Sequence, residues 1–221
     1  MSDPLGKASE SLARLRGARA FHPHGLGFSA SFEPVSGCDV DLPLLNRGPR
    51  PAQVRISRGL GLPEPLPDFF GFALRVPDAH GRGWHQDFLL ASGSARPLLR
   101  HFLFPTTGFG PRPFTSLAPY LVQEQRTVIL AVPERDEPPL KLSELDRREA
   151  DGIRVPIAFS SPGRPRCHVA DVVLGERLAP DKTEAIGFDP STTGGGLELT
   201  GLINRFRPPA YRGSRSGRGV T

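Results

Sequence analysis

Residues 70–90, FGFALRVPDAHGRGWHQDFLL, decide the fold class. Phe70, Phe72, Leu74 and Val76 alternate with other residues in the first arm, and Trp84–Leu90 forms a second apolar-rich arm. Between them Asp78–Gly83 carries two glycines, so the segment reads as two strands joined by a turn, a β-hairpin. Working outward, Phe28–Val35 alternates small and aromatic residues, and Val54–Ser57 alternates apolar and polar ones. Downstream, Thr127–Val132, Ile153–Phe159, His168–Leu174 and Lys182–Phe188 have the same character. The expected count is about eight strands.

Helical periodicity is scarcer. Residues 7–19 place Ala8, Leu12 and Leu15 at helical spacing behind a Ser9 cap. After the break at Gly194–Gly196, Leu197, Leu199, Leu202, Ile203 and Phe206 suggest one amphipathic C-terminal helix. Leu98–Phe104 fits a short helix or a strand, Thr115–Gln125 fits the start of a helix, and Glu134–Asp151 fits an exposed loop with a helical turn. With 25 glycines and 25 prolines in 221 residues, turns outweigh long helices. The expected class is β-dominated α+β, a single globular domain over residues 1–221, with a basic, disordered tail from about 212 to 221.

The formal charge of +5 is local. Arg205, Arg207, Arg212, Arg215 and Arg218 follow the last acidic residue, Glu198, and removing those five from 28 Lys and Arg leaves 23 against 23 Asp and Glu. A chain-wide electrostatic footprint for nucleic acid is therefore absent, although the RGSRSGRG tail leaves an RNA-binding reading open. The two cysteines, Cys38 and Cys167, have neither zinc spacing nor the numbers of a disulfide framework, so a reducing cytoplasm is expected. No basic-then-apolar leader and no run of 18 apolar residues occurs, so neither export nor a membrane contact is expected. Dinucleotide, P-loop, zinc-protease and serine-hydrolase motifs are missing.

Three stretches carry chemistry. Arg19-Ala-Phe-His22-Pro-His24-Gly25-Leu-Gly27 puts a histidine before a glycine-rich approach to a strand. Val54-Arg55-Ile56-Ser57, with Arg55 and Ser57 on one strand face, is followed by Asp68-Phe-Phe-Gly71-Phe-Ala73. Phe188-Asp189-Pro190-Ser191 precedes Arg207-Pro-Pro-Ala-Tyr211, where an arginine stands four residues before a tyrosine.

In this order, the five stretches resemble the catalase superfamily, whose members carry an RxxH segment, VRFS-like, DPxGFA-like and FxPS-like stretches, and RxxxY. The resemblance spans roughly residues 15–215. The chain leaves no room for the long arm and helical domain of typical catalases, so it looks like a small catalase-related haem peroxidase. The resemblance implies a catalase-like antiparallel barrel with haem b between barrel and C-terminal helix. Tyr211 would ligate the iron as tyrosinate, kept deprotonated beside Arg207, and Arg19 and Arg55 would pair with the haem propionates. His22 would move the proton during O–O cleavage, Ser57 would accept from its Nδ1, and Phe104 would pack on the haem edge, a position that core packing explains equally well.

One departure stands out. Where catalases place an asparagine that helps to position peroxide, this chain reads Ala91-Ser92. The expected activity is therefore peroxidase, with hydrogen peroxide or organic hydroperoxides and an unidentified electron donor as partners, and little dismutation. A hydroperoxide isomerase or dehydratase on the same scaffold and a non-catalytic haem-binding protein are the alternatives, and a homodimer is left open.

Overall fold

The computed structural model describes residues 24–110, 112–134, 138–147 and 152–200. Among them, in chain order, run β1 (His24–Pro34), β2 (Arg50–Arg58), β3 (Phe70–Val76), β4 (Gln86–Ser92), β5 (Phe114–Thr115), β6 (Tyr120–Val122) and β7 (Gln125–Ala131). Helix α1 (Leu142–Arg147), β8 (Arg154–Ser160), β9 (Cys167–Arg177), α2 (Pro180–Ala185) and β10 (Leu197–Leu199) complete the set. Every strand pairing is antiparallel. The order β1-β2-β3-β4-β5-β7-β8-β9 returns to β1, so eight strands close into a barrel and β6 and β10 extend from β7. The alternation predicts about eight strands and the catalase resemblance implies their closure, and the β-dominated barrel has both.

Alternation also fixes which side faces in. Phe28 and Phe32 of β1, Val54 and Ile56 of β2, Phe70, Phe72 and Leu74 of β3, and Phe88 and Leu90 of β4 belong to one buried cluster. Burying each such side chain contributes about 1.5–3 kcal/mol. Rings meet there, with the Phe72 (β3) and Phe114 (β5) centroids 5.7 Å apart and Phe109, from the segment before β5, 5.8 Å from Phe114. The residues between these positions point outward by the period of two.

The β3–β4 hairpin closes as expected: Asp78 adopts φ 51°, and the Gly83 N–H donates to its carboxylate at 2.7 Å. Four sequence expectations change. Lys182–Phe188 is not a strand; Pro180 starts a helix whose first turn holds Asp181, an arrangement favoured at helix N-termini. Thr115–Gln125 does not open a helix; Gln123 and Glu124 both take positive φ, 46° and 67°, and form the turn of a β6–β7 hairpin. Leu98–Phe104 is neither helix nor strand but successive turns, with Leu99 N–H and Arg100 N–H both donating to Arg96 C=O. Leu197–Leu199 is a strand paired with β6 rather than helix, because Gly195 and Gly196, at φ 57° and 88°, turn the chain into that edge. The rest of the expected C-terminal helix and the helix over 7–19 lie outside the described residues.

The cysteines also depart from expectation. Cys38 and Cys167 form a disulfide across 129 residues, fastening the chain beyond β1 to the start of β9. Their distance in sequence hides a closeness that antiparallel β1–β9 pairing creates. No helix among the described residues is long and apolar enough to cross a membrane.

Candidate functional site

Three rows of residues run across the outer face of β1–β4. The first pairs Gly25, Ser57, Gly71 and Ala91, one from each strand, and none is larger than serine. The second pairs Gly27, Arg55, Ala73 and Leu89; the third, Ser29, Gln53, Arg75 and Asp87. Four strands at about 4.8 Å spacing make the first row a flat strip roughly 14 Å wide. A wall of aromatic side chains lies on the inside and an almost bare backbone on the outside.

Arg55 rises from the second row and reaches over the strip. Its side chain is 3% exposed, and its Nη2 lies 3.6 Å from a Glu184 carboxylate oxygen on α2. The guanidinium lies along the strand over Gly25, where a Cβ would sit 2.5 Å from Cζ. Only glycine leaves that path open. Gly27 is bare for a related reason: a Cβ there would collide with the Thr183 side chain, so α2 packs directly on β1. Leu89, Ile186 and Phe188, with Ala73 and Leu178, form a small apolar cluster that seats the segment after β9 on the second row.

Below this, Arg75 holds Asp87 through two hydrogen bonds, Nε at 2.7 Å and Nη2 at 2.6 Å, and Nη2 also donates to Gly187 C=O at 3.0 Å. The Asp189 N–H donates to Asp87 at 2.8 Å, while the Ser191 hydroxyl and N–H donate to Asp189. Burial pushes the Asp87 carboxyl above its ordinary value, against the downward pull of Arg75 and the Asp189 N–H. Residues 187–191 are thereby pinned to β3 and β4.

At the strip's other end, the Phe104 N–H donates to Ser92 C=O at 2.9 Å, and the Ser92 hydroxyl donates to Phe104 C=O at 2.7 Å while accepting from Phe70 N–H at 3.1 Å. Phe104 is thus fixed one residue beyond Ala91. Ser92 spends its hydroxyl on backbone groups and is not available to orient a small ligand over the strip.

Of the residues singled out in the sequence, the structure gathers Ser57 and Arg55 on this face and Phe104 at its edge. The stretches Val54–Ser57, Gly71–Ala73 and Phe188–Ser191, far apart in sequence, converge on it. Arg19, His22, Arg207 and Tyr211 lie outside the described residues. Glu184 and Thr183 were not foreseen, and the strand reading of Lys182–Phe188 concealed them. Arg58 was missed as well: it is buried, donates to Leu66 C=O at 2.7 Å, lies 3.6 Å from Asp68 and stacks over the Phe70 ring. Its partner Asp68 accepts from the N–H groups of Leu60, Leu62 and Phe69 and so ties the β2–β3 loop to the barrel.

No family model and no curated protein matches the sequence. In three dimensions the chain is similar to the crystal structure of a fungal catalase, with a TM-score of 0.70. The barrel is of the catalase type. Identity over that match is 15%, and it covers 95% of this chain and 62% of the fungal one, so the chain spans about three fifths of that structure's length. Among the described residues no group of three or more His, Cys, Asp or Glu is arranged to hold a metal ion.

Proposed function

We propose that the protein is a haem-dependent peroxidase that seats haem b on the outer face of β1–β4. The supporting observation is the row Gly25, Ser57, Gly71 and Ala91. Three of its positions, Ser57, Gly71 and Ala91, offer a surface without side chains beyond serine that fits a flat macrocycle, and the Arg55 guanidinium over the fourth, Gly25, fits a propionate, whose carboxylate can take over from half-exposed Glu184. The catalase-type barrel agrees with this reading.

In this proposal Tyr211 would ligate the iron, Arg207 would hold its phenol ionised, Arg19 would join Arg55 on the propionates, and Phe104 would pack on the ring edge. Bound haem would supply the redox centre at which the peroxide O–O bond breaks. His22 carries a proton from the inner peroxide oxygen to the outer one, which leaves as water or alcohol. Ser57 accepts from His22 Nδ1–H, leaving Nε2 as the basic nitrogen. The whole turnover converts a hydroperoxide, two electrons from a donor and two protons into an alcohol and water.

Catalase activity requires orientation of a second hydrogen peroxide. Ala91 has no polar group, and the Ser92 hydroxyl is occupied by Phe104 and Phe70. Peroxidase activity therefore outweighs dismutation. Titration with hemin should give a Soret band that Tyr211→Phe removes or shifts, and dye oxidation should exceed oxygen release at matched peroxide. A titration whose Soret band stays that of free hemin would falsify the haem reading. Vigorous oxygen release without dye oxidation would overturn the peroxidase assignment alone, and Ala91→Asn should move the ratio toward oxygen.

A further inference from the structure

The loop from Gly93 to Pro105 leaves β4 and returns to it, and its two halves differ in character. Its ends, Gly93–Pro97 and Pro105, line an open groove of about 850 Å³ together with residues such as Thr107, Arg112 and Arg166. Its middle projects: Leu98 is 84% exposed and Phe102 60%, with Leu99 and Leu103 also exposed. None of these four side chains lines the groove, so the apolar surface stands out around it rather than within it.

Among the described residues, the charged side chains that line the groove have one sign. Arg96, Arg112 and Arg166 line the groove without any acidic residue, and none has an acidic partner among the described residues. Beneath the loop, buried Arg100 donates from Nη1 to the Ser160 carbonyl at 2.9 Å and hydroxyl at 2.6 Å, again without an acidic partner among the described residues. Three groove-lining guanidiniums, Arg96 from the loop and Arg112 and Arg166 from neighbouring segments, thus flank a projecting apolar tip.

We propose that this face adsorbs to an anionic phospholipid surface, with Arg96, Arg112 and Arg166 on lipid phosphates and Leu98 and Phe102 in the acyl boundary. Protruding apolar residues flanked by arginines suit an interface whose outer layer is anionic and whose inner layer is apolar. A second copy of the chain is disfavoured, because a two-fold contact would bring the same arginines face to face. An acidic peptide is disfavoured because the exposed apolar side chains lie outside the groove, where they offer it no pocket. The lack of a spanning helix bears on insertion through a bilayer, not on adsorption to one.

The test is sedimentation of the full-length protein with vesicles of phosphatidylcholine alone or mixed with phosphatidylserine. Partition into the mixed vesicles should be at least roughly tenfold stronger and should fall as salt rises. Leu98→Ser with Phe102→Ser, and separately Arg96→Ala with Arg166→Ala, should each weaken it roughly tenfold with the melting temperature unchanged, since these four side chains are solvent-exposed. The arginine-rich tail is retained throughout. Vesicle binding that both double variants leave intact would assign adsorption to the tail and overturn the proposal. Equal partition into both vesicle types, or capture of poly-glutamate without vesicle binding, would overturn it too.

Discussion

Phe72 and Ala73 are neighbours in β3 and belong to different proteins in physical terms. Phe72 faces a barrel interior filled by rings from β1, β3, β4 and β5, whereas Ala73 lies on the outer face, against Leu89, Ile186 and Phe188 and next to the strip of glycine, serine and alanine. The inside is built for cohesion and the outside for close approach. Volume on one side is as necessary as its lack on the other, and a period of two lets one strand serve both.

The comparison can be broken most strongly at Phe72. Phe72→Ala should cost about 3–5 kcal/mol in denaturant unfolding, as a buried ring lost from a packed core. Ala91→Leu, on the outer strip, should leave the unfolding midpoint close to the parent's and prevent hemin binding. If the two variants behave alike, the two faces are not functionally separate.

Next in size is the disulfide, which secures the barrel and not the strip. Cys38→Ser with Cys167→Ser should lower stability by about 2–4 kcal/mol, through a less constrained unfolded chain, and leave the hemin spectrum unchanged. Ser57→Ala should do the opposite: peroxide turnover drops roughly tenfold, the scale of one orienting hydrogen bond, while hemin affinity is retained. A turnover unchanged by this substitution would remove Ser57 from the site.

The smallest effect concerns acid stability. Burial alone would push the Glu64 carboxyl up, but hydrogen bonds from the Ser143 side chain and N–H carry it below its ordinary value of 4.5. A carboxyl with a lowered folded-state value adds stability above its unfolded value, and that increment is lost as pH falls through the folded one. Glu64→Gln should therefore lower the melting temperature slightly at neutral pH and converge with the parent in acid. A difference that persists in acid would show that Glu64 acts through packing.

Much of this was legible in the sequence because strands with one buried face announce themselves. Phe70, Phe72, Leu74 and Val76 give both the strand and its inward side, and the same alternation puts Arg55 and Ser57 outside. The Cys38–Cys167 bond and the burial of Arg58 depend on which strands become neighbours, which no local pattern encodes. Lys182–Phe188 misled for a different reason. It packs on the barrel through only a few residues, Thr183, Ile186 and Phe188, too few to set a helical period against the strand-like run that ends in Ile186-Gly-Phe188. Leu197–Leu199 is ambiguous in the same way, since three residues satisfy a helical and an extended spacing equally.

The ring of hydrogen bonds around the barrel is not uniform. β5 contributes two residues, Phe114 and Thr115, between seven-residue β4 and seven-residue β7, and the Asp87 N–H, farther along β4, is met by Thr192 C=O instead of by a strand. A hoop closed through two residues breathes first at that seam, where the fewest bonds must part. Ala91, Ser92 and, through Ser92, Phe104 sit on its β4 side. Local opening of the barrel would therefore loosen the strip's edge with it, and on the proposed reading the rate at which haem enters or leaves would be coupled to the fold's own weakest joint.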